Sequence, residues 1–362
     1  MELGLFDILQ IDPMDQRDHG QVYERRLADL ALADQLGFDY YFTAERHFMP
    51  QFRCPAATPW IAAVSQRTKH MRLGVMAYTL PIQAPVALAE DIVVMDWLSG
   101  GRFEVGLGLG HRVEELQALG VDPGQRIPIF QERTALLQAL WTGGLVTIDS
   151  KHTTIRGAAL SPLTMQQPHP PLWFAGSDPR AATWAGATGL SLALGFKPVE
   201  ELATAAKAFT GAVAYRNASN PEHLLPGEGR LAMMRQVYIA ESDERALDEM
   251  TGDVYRLHEH GAKQGSRPSR KEDARQAVEE MIRDEVFLAG SPDTVISGIV
   301  KVQSDLGVDV FLANVYASAI DQERIERALT LLANEVAPRI AGARRENGPG
   351  ETNRGDSTTR SP

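Results

Sequence analysis

GFDYYFTAERHF, residues 37–48, is the stretch whose reading decides the fold. Gly37 reads as the stop of a preceding helix. Phe38, Tyr40, Tyr41 and Phe42 make a short aromatic run of the kind that fills a buried strand. The run ends in three ionisable side chains, Glu45, Arg46 and His47, and Pro50 bars any continuation of the strand. In a barrel of parallel strands, the carboxyl end of each strand opens onto the active-site face. A carboxylate, a guanidinium and an imidazole placed there are the first candidates for catalysis. The alternative is that Glu45 and Arg46 pair with each other and His47 caps a loop.

Outward from this stretch, strand and helix patterns alternate. Residues 3–11 predict a first strand, with Asp7 and Gln10 facing the barrel mouth. A polar loop follows over 12–20. Tyr23, Leu27, Leu30 and Ala31 recur at helical spacing up to Gly37. Further strands are predicted at 71–79, 102–107, 172–175, 190–194, 233–240 and 308–313, with helices at 86–98, 129–141 and 198–215 among those between them. Residues 145–170 break the rhythm with a small hairpin and a proline-bounded loop, and 258–272 read as a polar, solvated insertion. About eight strand–helix units predict an α/β fold, a (β/α)8 TIM barrel with insertions, over residues 1–340; a doubly wound sheet is the second choice. Residues 341–362 have the composition of a disordered tail.

Composition narrows the function. Of 362 residues, 44% are hydrophobic, enough for a substantial core, and the formal net charge is -11. That acidity argues against nucleic acid as a partner, because no basic surplus is left to neutralise phosphates. The single cysteine, Cys54, excludes a disulfide framework and a cysteine-based metal cluster, and no metal-ligand motif is visible. With no signal peptide and no apolar run long enough to span a bilayer, a soluble cytoplasmic protein is expected.

Two glycine-bearing strand ends add candidates. Gly106 to Gly110, GLGLG, departs from the dinucleotide fingerprint. It suits either close approach of backbone to a flat ligand or tight packing at the barrel rim. Gly176-Ser177-Asp178 feeds a helix N-terminus, whose free N–H groups attract anions, and Asp178 before Pro179 is also a good helix cap. Arg126, at the start of the helix after the fourth strand, would supply a cation to such an anion. His47 is the only imidazole placed at a strand end inside the mouth.

Several segments in order carry a resemblance: GFDYYFTAERHF at 37, LGVMAYTLPIQAPVALAEDIVVMDWLSGGRFEVGLGLG at 73, PHPPLWFAGSDPRAATWAG at 168, then GSPDTVISGIV and GVDVFLANV. Over roughly residues 1–340 the chain resembles the bacterial luciferase-like flavin monooxygenases. The resemblance implies a TIM barrel that takes reduced FMN from a separate flavin reductase and uses O2 to oxidise a small organic substrate. Met76, Ala77 and Tyr78 are then expected against the flavin ring, with a cis peptide between Met76 and Ala77. Gly108 and Leu109 are expected to border the ring and phosphoribityl chain. Gly176, Ser177 and Asp178 are expected at the phosphate.

Two positions depart from the family pattern. The histidine found in luciferase is replaced by Arg46, which leaves His47, matching a second family histidine, as the acid/base candidate. The flavin-phosphate arginine is replaced by Leu109; Arg126 matches another phosphate position, and Arg112 lies close by. Two alternatives stay open: an F420-dependent oxidoreductase of the same fold, which delivers hydride, and a non-catalytic flavin-binding protein. The helices near 56–66 and 86–98 carry more apolar surface than one barrel is expected to cover, which predicts a homodimer.

Overall fold

The computed structural model describes residues 1–10, 18–49, 52–219, 228–260, 271–285, 287–316 and 321–341. The insertion expected at 258–272 and the tail expected at 341–362 lie almost wholly outside the described residues. In chain order the strands are β1 (Glu2–Asp7), β2 (Tyr40–Thr43), β3 (Arg72–Thr79), β4 (Phe103–Gly108), β5 (Val146–Asp149), β6 (Thr154–Ala158), β7 (Leu172–Ala175), β8 (Ser191–Gly195), β9 (Leu231–Ile239), β10 (Phe287–Gly290) and β11 (Val310–Asn314). The helices are α1 (His19–Leu36), α2 (Ala57–Ser65), α3 (Pro85–Leu98), α4 (Val113–Ala118), α5 (Arg126–Trp141), α6 (Pro179–Ala187), α7 (Val199–Ser219), α8 (Asp243–His260), α9 (Lys271–Arg283), α10 (Pro292–Leu306), α11 (Gln322–Leu331) and α12 (Ala337–Ala341).

Strands β1, β2, β3, β4, β7, β8, β9 and β11 pair in parallel in that order, and β11 returns to β1. The result is a closed eight-stranded barrel inside a ring of helices, the expected (β/α)8 TIM barrel. β5 and β6 form the predicted hairpin outside it. β10 was not expected. It adds a parallel strand along the second half of β9, from Phe287 opposite Gln236 to Gly290 opposite Ile239.

Alternation along each strand sorts the side chains into two cores. Leu3, Leu5, Tyr41, Leu73, Val105, Phe174 and Phe311 face the helices. Phe6, Tyr40, Phe42, Met76, Trp173, Met234 and Leu312 face the lumen. The amino-terminal end of the lumen is closed by polar groups: Glu104 accepts from Arg72 and Trp173, and Arg230 reaches Glu2 and the Tyr40 hydroxyl. A filled lower lumen leaves the carboxyl ends of the strands as the open face.

The same parity corrects one expectation. Phe6 points inward, so Asp7 points outward, away from the mouth. It is fully buried beneath α1, where it pairs with Arg26 and accepts from Leu9 N at 2.8 Å. Local signals set the helix limits. Asp18 accepts from Gly20 N at 2.7 Å, so α1 starts inside the stretch expected to be loop, and Gly37 ends it at φ 89°.

Candidate active site at the barrel mouth

The loop after β2 folds back on itself. Arg46 N donates to Cys54 O at 3.0 Å, Arg53 N to Leu9 O at 3.0 Å, and the Tyr23 hydroxyl to Arg53 O at 2.8 Å. This pins Glu45, Arg46 and His47 at the rim. Glu45 is only 5% exposed. Gln83 Nε2 donates to Glu45 Oε1 at 3.0 Å and lies 3.2 Å from Oε2, and Thr79 N donates to Oε1 at 3.4 Å. His47 Nε2 stands 3.1 Å from the same Oε1. That separation is within hydrogen-bonding distance. The Glu45 contact holds the His47 pKa above its ordinary 6.5; partial burial opposes this, and the charges of Glu45 and Glu115 reinforce it.

Glu45 therefore partners His47. Arg46 touches Glu45 only through its backbone oxygen, at 3.4 Å. Burial lowers the Arg46 pKa, Glu115 opposes the shift and Arg112 adds to it. Arg112 Nη1 donates to His47 O at 3.1 Å and lies 3.8 Å from Glu115. His111, three residues past β4, is a second imidazole at the mouth. Its pKa is pushed down by partial burial, then by Arg46 and Arg112. Sequence reasoning counted His47 alone here; the signal missed was the HR pair directly after the glycine run.

The peptide between Met76 and Ala77 is cis, as expected, and the β3–β4 register shifts between Val75 and Tyr78. Met76 faces the lumen. The Tyr78 side chain instead faces outward, with its hydroxyl 2.9 Å from Thr58 Oγ1, so only its backbone borders the mouth. The glycines of GLGLG differ in their surroundings. A Cβ on Gly106 would collide with Val75 O, and one on Gly110 would lie 2.8 Å from Thr79 Cγ2, so these two serve packing. At Gly108 a Cβ would meet Ala77 Cβ at 3.3 Å and Tyr78 O at 3.6 Å, with nothing nearer on the open side. Leu109 packs against the outer core.

A second cluster lies at the β7–α6 junction. Asp178 caps α6, accepting from Arg180 N at 3.0 Å and Ala181 N at 3.1 Å, and these bonds lower its pKa. Two donors of the helix end are thereby used internally. The N–H groups of Ser177 and Asp178 make no hydrogen bond among the described residues. Arg126 sits one helical turn before Phe130, on the same face of α5. Phe130 packs against Phe174 at 5.6 Å and Trp184 at 5.5 Å, so that face meets β7 and α6. Arg126 pairs with no carboxylate among the described residues. The strand ends thus carry an imidazole–carboxylate pair, and Gly108 stands beside Ala77 of the cis peptide. Among the described residues no group of His, Cys, Asp and Glu is placed to hold a metal ion.

Comparison with known proteins bears on the family and the fold. The family model described as luciferase-like monooxygenase matches residues 1–309. 4-Hydroxyprotoasukamycin monooxygenase of Streptomyces nodosus is 30% identical over 87% of each chain. The oxygenase component of flavin-dependent trigonelline monooxygenase from Acinetobacter baylyi is 29% identical over 64% of this chain and 63% of its own. An F420-dependent glucose-6-phosphate dehydrogenase of Beutenbergia cavernae is 34% identical over 45% of this chain, and the chain spans only half of that relative. In fold, the crystal structure of monooxygenase RslO1 from Streptomyces bottropensis superposes with a TM-score of 0.81, covering 94% of this chain and all of that one at 23% identity.

Proposed function

The chain belongs to the luciferase-like monooxygenase family, and from that premise we propose that it is the oxygenase of a two-component system. It takes reduced FMN from a separate flavin reductase and uses O2 to oxidise a small organic substrate. Residues 1–340 carry this activity as one cytoplasmic unit that works as a homodimer. The observation that carries the reading is the His47–Glu45 pair, 3.1 Å apart, at the lip of the mouth.

The residues present fit a flavin. Gly108 leaves an edge beside Ala77 for a flat ring, and the N–H groups of Ser177 and Asp178, unbonded among the described residues, with Arg126 on α5, suit a phosphate. The capping Asp178 carboxylate works against a dianion, which makes Arg126 the more important. Bound reduced flavin supplies the electrons that activate O2. The protein's own part is to hold the ring, keep water out and manage one proton. With Nε2 turned to Glu45, His47 keeps Nδ1 for proton transfer. Arg46 and Arg112 set a positive field at the rim.

The second reading, an F420-dependent hydride transfer, is favoured by Leu109 in place of the phosphate arginine and by the F420-dependent relative. The experiment for the first reading is to mix the His47→Ala variant with reduced FMN and O2 and to follow flavin reoxidation and hydrogen peroxide. Flavin affinity stays, and peroxide release quickens about a hundredfold, the low end of general acid/base effects. A variant that only loses melting temperature removes His47 from catalysis.

A further inference from the structure

The Glu45 carboxylate has a neighbour that no catalytic role requires. Gln83 Nε2 lies 3.0 Å and 3.2 Å from its two oxygens. Gln83 sits just after the 3-10 turn Leu80–Ile82, which follows the bulged end of β3. That turn is itself held from outside. Arg133 Nη1, on α5, donates to Leu80 O at 3.2 Å, Pro81 O at 2.8 Å and Gln83 O at 2.7 Å. One guanidinium nitrogen thus gathers three carbonyls of a single turn, while the Gln83 side chain on that turn points at Glu45. The chain of contacts runs from α5 through the turn and the amide to the carboxylate beside His47.

We propose that Gln83, fixed by Arg133, is a positioning residue that holds Glu45 against His47 and so sets the proton affinity of the imidazole. This rests on the reading of His47 as the acid/base group. A glutamate has three rotatable side-chain bonds, so its carboxylate needs fixed donors to keep one position beside the imidazole. Among the described residues the other hydrogen bond to it comes from Thr79 N, at the long distance of 3.4 Å. An amide is suited to this task because it donates without adding a charge that competes with the imidazolium. The remaining charged groups around His47 lie on other elements: Glu115 on α4, Arg112 before it, and Arg46 and His111 at the rim. None of them touches Gln83 among the hydrogen bonds and ion pairs described.

The test is a titration of the His47 ring by NMR in the full-length protein without flavin, so it does not depend on any activity. Glu45→Gln removes the carboxylate and defines the full downward shift of the His47 pKa. Gln83→Leu removes the amide at similar volume and is expected to give at least half of that shift. If Gln83→Leu does not fold, Gln83→Asn, too short to reach, replaces it with the same expectation. A His47 pKa that stays at the wild-type value or rises in the Gln83 variant, while Glu45→Gln lowers it, overturns the proposal. So does a Glu45→Gln variant that leaves His47 unmoved. Failure of the wild type to bind reduced FMN would instead count against the oxygenase reading and leave this titration standing.

Discussion

The Phe130 ring meets the Phe174 ring edge-on, with centroids 5.6 Å apart and planes at 70°, and so fixes the first turns of α5 against β7. Arg126 lies one helical turn before Phe130 on the same face of α5. Arg126→Ala is expected to weaken FMN binding more than riboflavin binding, since only FMN carries the dianion. A charge-assisted contact is worth roughly 1.5–3 kcal/mol, so the loss is about tenfold or more. Fluorescence titration with both ligands measures it, and equal losses would remove Arg126 from the phosphate.

His47 gives the mouth a pH signature. Its pKa is raised in the folded protein by Glu45, so the pairing stabilises the fold fully below the unfolded value near 6.5. The contribution fades as pH rises through the higher folded value. His47→Asn is therefore expected to lower the melting temperature at pH 6 and to change it little at pH 9. An equal cost at both pH values would show that the pair adds nothing specific.

Beneath α1, Asp7 and Arg26 form a buried pair, with Arg26 also 3.6 Å from the Tyr316 ring centroid and its Nε 3.6 Å from Asp29. Burial works against the Arg26 charge, but Asp7, Tyr316 and Asp29 together more than offset it and raise the pKa. Removing one partner of such a pair typically costs ~3–5 kcal/mol. Asp7→Asn is expected to cost about 3 kcal/mol in urea unfolding, the low end because Asp29 remains. A cost below about 1 kcal/mol would mean that Asp29 takes over the pairing.

Only one of the two apolar helices leaves a patch. On α2, Trp60, Ile61 and Val64 are buried within the single chain, and Trp60 Nε1 donates to the Tyr41 hydroxyl at 2.8 Å. On α3, Val94, Trp97 and Leu98 are 54%, 52% and 48% exposed. The proposed dimer therefore uses α3 chiefly. Light scattering at micromolar concentration should give twice the chain mass, and Val94→Arg should give a monomer. A wild-type monomer would end the dimer proposal.

The barrel was legible because its strands are short apolar runs closed by glycine, proline or charge, as at Thr43 to Pro50. Its caps were legible because Asp178 and Ser291 stand directly before a proline. β10 was not, since four residues against the edge of β9 carry no periodicity of their own. The facing of Asp7 was misread because a polar residue at a strand end was taken to point at the mouth, whereas parity decides. At the site, Glu45, Arg46 and His47 could be seen as a cluster, but who pairs with whom could not. Gln83, 38 residues from Glu45, reaches it only because β3 lies beside β2. Contacts across neighbouring strands leave no local pattern in a sequence.

The most direct test of the central claim is a side-by-side titration of the protein with reduced FMN and with reduced F420 under anaerobic conditions. The oxygenase reading predicts tighter binding of reduced FMN, by at least about tenfold, or ~1.4 kcal/mol, followed by flavin oxidation when O2 is admitted. Selective binding of F420 with no reaction toward O2 would contradict it.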